Sequence, residues 1–191
     1  MILSAKKILE LNGKYRLVEN LSERELANPE GVGIDLRVGE VYVLEGEGYL
    51  GVTERKTPDI RKVADIKDGD KEIVIKPGQY VLVKTIERVT LPAEKIVVEE
   101  GQKPAYLVAD VHPRSTLQRS GIYFRGTKSD PGFHGELTFA LANLGGQPFR
   151  LELGARFVNI VFHEVVGDLS RAYEGQWQNG RVATGNKETQ N

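Results

Sequence analysis

The feature that most constrains the fold is a succession of short β-branched and aromatic runs cut apart by Gly, Pro and Asp-Gly. Val41-Tyr42-Val43-Leu44, Glu72-Ile73-Val74-Ile75, Tyr80-Val81-Leu82-Val83 and Ile96-Val97-Val98 form the first set. Tyr106-Leu107-Val108, Leu137 to Leu141 and Phe157 to Phe162 form the second. Such residues suit a pleated, half-buried surface, and the residues between them suit turns. Many short strands with few helices predict a compact all-β barrel or jelly roll. Helical signals are confined to the start. Ser4 reads as an N-cap, with Leu3 and Ile8 at staple spacing and Gly13 as the stop. A second short helix is expected from Ser22, with Glu25 completing a capping box, ending before Pro29.

At 191 residues the chain can bury a sizeable core within one domain, expected over residues 1–185. The polar residues 186–191 read as a disordered tail. Residues 46–69 are charged and Gly-containing, which suggests a loop or hairpin excursion. Residues 99–104 read as an insertion.

Lys plus Arg (26) nearly balances Asp plus Glu (27), so the basic excess of a duplex-binding protein is missing and no nucleic-acid partner is expected. The longest apolar runs are too short to span a bilayer, and the N-terminus leads straight into a charged, helix-like segment. A cytoplasmic protein without a membrane partner is the expectation. With no cysteine, disulfides, thiol nucleophiles and thiolate-held zinc are excluded. His112, His134 and His163 show no metal-ligand spacing, so a metal is expected to arrive with a phosphate ligand.

The chemistry concentrates between Pro113 and Asn143. Arg114, Ser115, Thr116 and Arg119 supply guanidinium forks and hydroxyls that suit phosphate oxygens. A turn leading into a helix would add amide donors with the right polarity. Asp130, in Ser129-Asp130-Pro131-Gly132, is able to orient or deprotonate a water. Together they suggest hydrolysis of a phosphate ester. Each also has a plainer reading: a solvated surface turn for the arginines, a turn-capping role for Asp130, core packing for Phe133.

These motifs, in order, resemble the dCTP deaminase/dUTPase superfamily of trimeric nucleotide enzymes, from Met1 to about Arg181. Within it the chain looks most like the archaeal-type dUTPases. The resemblance implies a distorted jelly roll with a short N-terminal helix, assembled as a homotrimer with sites between subunits. Gly33 to Gly39 is similar to the first family motif, in which Asp35 would support the site; a structural Asp35–Arg37 ion pair is the alternative. Pro113 to Arg119 is similar to the second, with Arg114, Ser115 and Thr116 on phosphate. Gly121 to Gly135 is similar to the third, with a pyrimidine-reading hairpin and Asp130 as the catalytic carboxylate. Gly154 to Phe162 is similar to the fourth, with Asn159 where Gln is frequent. Residues 171–181 are similar to a C-terminal motif that folds over the nucleotide. There Tyr173, Trp177 and Gln178 would cover base or sugar, and Arg181 would reach the terminal phosphate.

One departure separates two activities. Deaminases of the superfamily carry a proton-shuttling Glu where this chain has Ala140, and Ala transfers no proton. Glu136 shares the strand face, but four residues along a strand place it roughly 13 Å away. The resemblance therefore implies a dUTP diphosphatase, forming dUMP and pyrophosphate, with Mg²⁺ held through the substrate phosphates and no all-protein metal site. The alternatives are a dCTP deaminase or bifunctional enzyme, a non-catalytic nucleotide-binding homologue, and a hydrolase of a wider set of pyrimidine triphosphates.

Overall fold

In a computed structural model, described over residues 1–190, the chain is mostly strand. The strands are β1 (Val18–Glu19), β2 (Ile34–Glu45), β3 (Tyr49–Leu50), β4 (Glu54–Lys56), β5 (Asp59–Asp65), β6 (Glu72–Ile75) and β7 (Tyr80–Thr90). They continue as β8 (Tyr106–Pro113), β9 (Ile122–Arg125), β10 (Lys128–Ser129), β11 (His134–Asn143), β12 (Phe149–Glu152), β13 (Arg156–Val165) and β14 (Glu188–Thr189). Three short helices accompany them: α1 (Ala5–Tyr15), α2 (Glu23–Ala27) and α3 (Ser115–Arg119).

The main sheet runs β10-β8-β13-β2-β7-β11-β9, with β1 added on β7 and β5 on β2. It curls because β2 changes partner along its length. Residues 34–37 pair β13, residues 38–42 pair β7, and residues 40–45 pair β5. Irregular register at each changeover bends the strand, as bulges do. All ladders are antiparallel, and the architecture is the expected all-β, jelly-roll-like fold. Phe139, Phe157, Phe162, Leu36, Leu107 and Ile160 are fully buried between the curled faces. On β7 the alternation is strict, with Val81, Val83, Thr85, Glu87 and Val89 inward.

One inward position is charged. Glu87 is completely buried; it accepts from Arg37 Nε (2.6 Å) and Arg37 N (2.7 Å). Desolvation pushes its carboxyl above the usual range, and the Arg37 hydrogen bonds oppose that rise. Thr85 Oγ1 donates to Glu87 O (2.7 Å) and accepts from Leu137 N (3.0 Å), tying the β7 irregularity to β11.

Several expectations need adjusting. Ser4 caps α1, accepting from Lys7 N (3.2 Å), with Leu3 and Ile8 both buried. The helix passes Gly13 and stops at Arg16, whose left-handed backbone (φ 51°) returns its N–H to Asn12 O. Ser22 caps α2, but Glu25 does not close a capping box. Its buried carboxylate faces Arg24 (2.7 Å) and Asp35 N (3.3 Å) instead. Ile96 and Val98 fill the core, yet only Ile96 finds a backbone partner, Ala105, so this run is a single bridge and not a strand. Residues 99–104 form a turn closed by Gln102 N to Glu99 O (3.1 Å).

The excursion at 46–69 splits in two. β5 joins the main sheet, while β3 and β4 form a hairpin. The tail expected to be disordered completes that hairpin: Glu188–Thr189 pairs with β4, and Gln190 N donates to Thr53 O (2.8 Å). The edge of β4 supplies the hydrogen-bond partners that a polar tail lacks by itself. Residue 191 lies outside the described residues. Among the described residues no helix is long and apolar enough to cross a membrane.

Candidate functional site

The residues singled out from the sequence fall into two groups. The first is centred on Asp35, which β2 places in register with Asn159 of β13. Asp35 is buried, and its carboxylate accepts from Asn159 Nδ2 (2.9 Å), Arg156 Nη1 (2.9 Å) and Arg114 Nη1. The Asp35–Arg37 pair does not form, because Arg37 is taken by Glu87. Arg114 stands at the N-cap of α3, its N–H donating to Phe157 O (2.9 Å). Leu117 pins α3 to the core, which leaves Ser115, Thr116 and Arg119 exposed on its outer side. Asp35 thus sets the position of two guanidiniums whose other donors remain available. Arg156 was legible as part of the fourth motif but carries no distinguishing signal of its own there.

The second group surrounds Asp130. Asp130 opens the turn after β10, closed by Phe133 N to Asp130 O (3.0 Å). Its carboxylate is paired with Lys128, a residue that the motif reading passed over because one Lys in an exposed strand looks like ordinary surface. Two adjacent cavities, of roughly 600 and 470 Å³, share Asp130, Tyr173 and Trp177 in their walls. The C-terminal segment is folded over this turn. Tyr173 N donates to Pro131 O (2.7 Å), and its ring lies 6.1 Å from Phe133, which is buried.

Gln178 works as a clasp. Its Oε1 accepts from His134 N (2.8 Å), and its Nε2 donates to Gly132 O (2.7 Å) and Tyr173 O (3.3 Å). Both ends of the amide are therefore used on protein backbone. The close approach requires glycine. A Cβ at Gly135 would sit 2.3 Å from Gly180 N, and Gly132 (φ 97°) lies directly under Tyr173. Arg181 lines the smaller cavity, with Nε and Nη2 engaged by Ala183 O (2.9 Å), Thr184 O (2.6 Å) and Glu188 (2.8 Å).

Asp130, Tyr173, Gln178 and Arg181 thus come together. Arg114 and Thr116 line other cavities, as do Asp35 and Asn159, and those cavities share no wall residue with the Asp130 pair. Ala140 is buried on β11, in register with Leu82 on one side and Arg125 on the other. Glu136 lines the smaller Asp130 cavity and faces Arg88 (3.6 Å). Among the described residues no three His, Cys, Asp or Glu side chains converge as a metal cage.

The curled antiparallel β fold, with an Arg-Ser turn before a short helix and an Asp-Pro-Gly turn under a C-terminal cap, has relatives named as nucleotide-processing enzymes. The family described as dCTP deaminase-like matches residues 2–165, and the chain belongs to that family. A "dCTP deaminase, dUMP-forming" of Dictyoglomus turgidum is 32% identical over 178 residues, covering 91% of this chain and 85% of that protein. A "dCTP deaminase" of Thermococcus kodakarensis is 33% identical over 168 residues, covering 88% of each. The solved 2′-deoxycytidine 5′-triphosphate deaminase of Agrobacterium tumefaciens shares the fold, with a TM-score of 0.60 at 16% identity. The match covers 84% of this chain but only 46% of that longer one.

Proposed function

We propose that the chain is a dUTP diphosphatase, converting dUTP and water to dUMP and pyrophosphate. The observation that carries this is Ala140. At the position where the superfamily's deaminases hold their proton-shuttling Glu, this chain has a buried methyl group, while Asp130 remains in a solvent-accessible cavity. Asp130 takes the proton of the attacking water and aims it at the α-phosphorus; the α–β bridging oxygen leaves with pyrophosphate. Arg114, Ser115, Thr116 and Arg119 bind the phosphates and stabilise the charge developing on them. Asp35 and Asn159 hold Arg114 in place. Tyr173 and Trp177 cover the nucleotide, Gln178 fastens that cover, and Arg181 faces the terminal phosphate. Among the described residues the donor set contains no protein cage for a hard cation, so Mg²⁺ would be held through the substrate phosphates, where it would offset their charge.

Because the Arg114 and Asp130 groups open into separate cavities, each site combines one group from one subunit with the other from its neighbour, in a homotrimer. The expected hairpin is a single strand, Ile122–Arg125, because β9 pairs with β11 while the following β10 pairs with β8; this strand and the turn after it read the pyrimidine edge.

A second reading is favoured by the relatives' names and by Glu136, which lines the same cavity as Asp130. In it Glu136 carries the protons of dCTP deamination. A parallel assay of dUTP and dCTP with Mg²⁺, following pyrophosphate, ammonia and dUMP, separates the two. Pyrophosphate and dUMP from dUTP without ammonia from dCTP supports the diphosphatase. Ammonia from dCTP means that a group other than the residue at position 140 carries the protons of deamination.

A further inference from the structure

The hairpin β3–β4 and the tail strand β14 form a separate three-stranded sheet beside the C-terminal cap. Thr57 and Thr184 lock it, each N–H donating to the other's hydroxyl (3.0 and 2.9 Å). This sheet has no part in the main core. It does bring one side chain, Arg55 of β4, into the wall of the larger cavity with Asp130, Arg171, Tyr173 and Trp177.

Arg55 is held but not satisfied. Its guanidinium lies 5.5 Å from the centre of the Trp177 ring, and its Nε donates to Glu188 Oε1 over a long 3.3 Å. Its Nη2 is buried with no hydrogen-bond partner. A buried charged donor without an acceptor is costly and rare. Lys128 and Arg171 each have a carboxylate of their own, Asp130 and Glu174, whereas Arg55 and Arg181 share Glu188. The Trp177 ring holds the guanidinium beside the cavity by a cation–π contact, and a planar fork of donors suits two phosphate oxygens.

We propose that Arg55 is a phosphate-binding residue of the Asp130 cavity, taking the polyphosphate of a nucleoside triphosphate. This rests on the nucleotide reading above for the identity of the anion. The weak Glu188 contact is exchanged for phosphate oxygens, and Nη2 gains its missing acceptor. The excursion at 49–56 and the tail are then parts of the site, and the small sheet exists to deliver Arg55.

The test is calorimetric titration of the full chain with inorganic tripolyphosphate and, separately, with deoxyuridine. Arg55→Gln is expected to weaken tripolyphosphate at least tenfold while deoxyuridine changes less than twofold. Arg55→Lys, which keeps the charge but not the fork, falls between. Equal weakening of both ligands reduces Arg55 to a support for Trp177 and overturns the proposal. So does unchanged tripolyphosphate binding, or a wild-type protein that does not bind it. Should the Gln variant fail to fold, the Lys variant carries the comparison, with Trp177 emission reporting the intact cap. Tripolyphosphate has no base and undergoes no deamination. Arg55-dependent binding alongside absent dUTP hydrolysis would therefore sink the diphosphatase reading and leave this one standing.

Discussion

At the scale of single residues, two carboxylates behave in opposite ways. Asp130 sits in a half-open turn with only Lys128 on it, so it contributes little to the fold. Asp130→Asn is expected to lower kcat for dUTP by about 10²–10⁴, the range of a lost general base. The midpoint of unfolding should hold, since exposed changes stay within about 0.5 kcal/mol. Full activity in that variant would remove Asp130 from the mechanism. Glu87 is the reverse: buried, outside the walls of the two Asp130 cavities, and held by Arg37. Burial raises its folded pKa above that of the unfolded chain, so the folded state binds its proton more tightly. The stability this contributes is complete below the usual Glu value and is lost as pH rises through the folded pKa. Urea unfolding of wild type and Glu87→Gln, stepped upward from about pH 4.5, should show the wild-type advantage shrinking. An advantage that grows with pH would mean that the Arg37 attraction outweighs desolvation.

At the scale of elements, the C-terminal cap depends on glycine more than on its aromatics. Gly180 has φ 69°, and a Cβ there would meet Glu136 Oε2 at 2.3 Å and Glu136 N at 3.2 Å. Glu136 Oε2 can swing aside, but Gly180→Ala still combines the left-handed penalty of about 1–2 kcal/mol with crowding of the fixed Glu136 N at 3.2 Å, and loosens the cap on β11. The expected result is a KM for dUTP raised about tenfold with the unfolding transition nearly unchanged, because the cap lies outside the core; one tenth of the affinity corresponds to about 1.4 kcal/mol. An unaltered KM would show that the cap does not bear on binding. The main sheet was legible because Val81, Val83 and Val89 alternate as a half-buried strand must. The β3–β4 hairpin falls within the loop or hairpin excursion expected at 46–69. The third strand of the small sheet was not legible: β14 is two residues long and polar, and its partner β4 lies far along the chain, as with Thr57 and Thr184, 127 residues apart. Ile96 to Val98 misled for the converse reason: the side chains suit a strand, but no neighbouring backbone runs alongside.

At the scale of the whole molecule, an ordered set of motifs names the participants in a site without saying which of them meet within one chain. Asp130, Tyr173 and Arg181 share a cavity, and Arg114 with Asp35 and Asn159 lies elsewhere; in the proposed homotrimer one subunit would supply two halves of different sites. That arrangement has a numerical consequence. Asp130→Asn and Arg114→Ala should each be inactive as pure assemblies, since every site lacks one half. Unfolded together in equal amounts and refolded, the two chains assort at random in a cyclic trimer, where each site joins neighbouring subunits through the same contact. A site is complete when the Arg114 half comes from the Asp130→Asn chain and the Asp130 half from the Arg114→Ala chain. Each condition holds for half the subunits, so about a quarter of the sites regain both groups. Recovery of dUTP hydrolysis to about a quarter of wild type is the expected outcome. Were both groups to act within one subunit, no mixture would recover anything, and the rate would stay at the sum of the two inactive proteins.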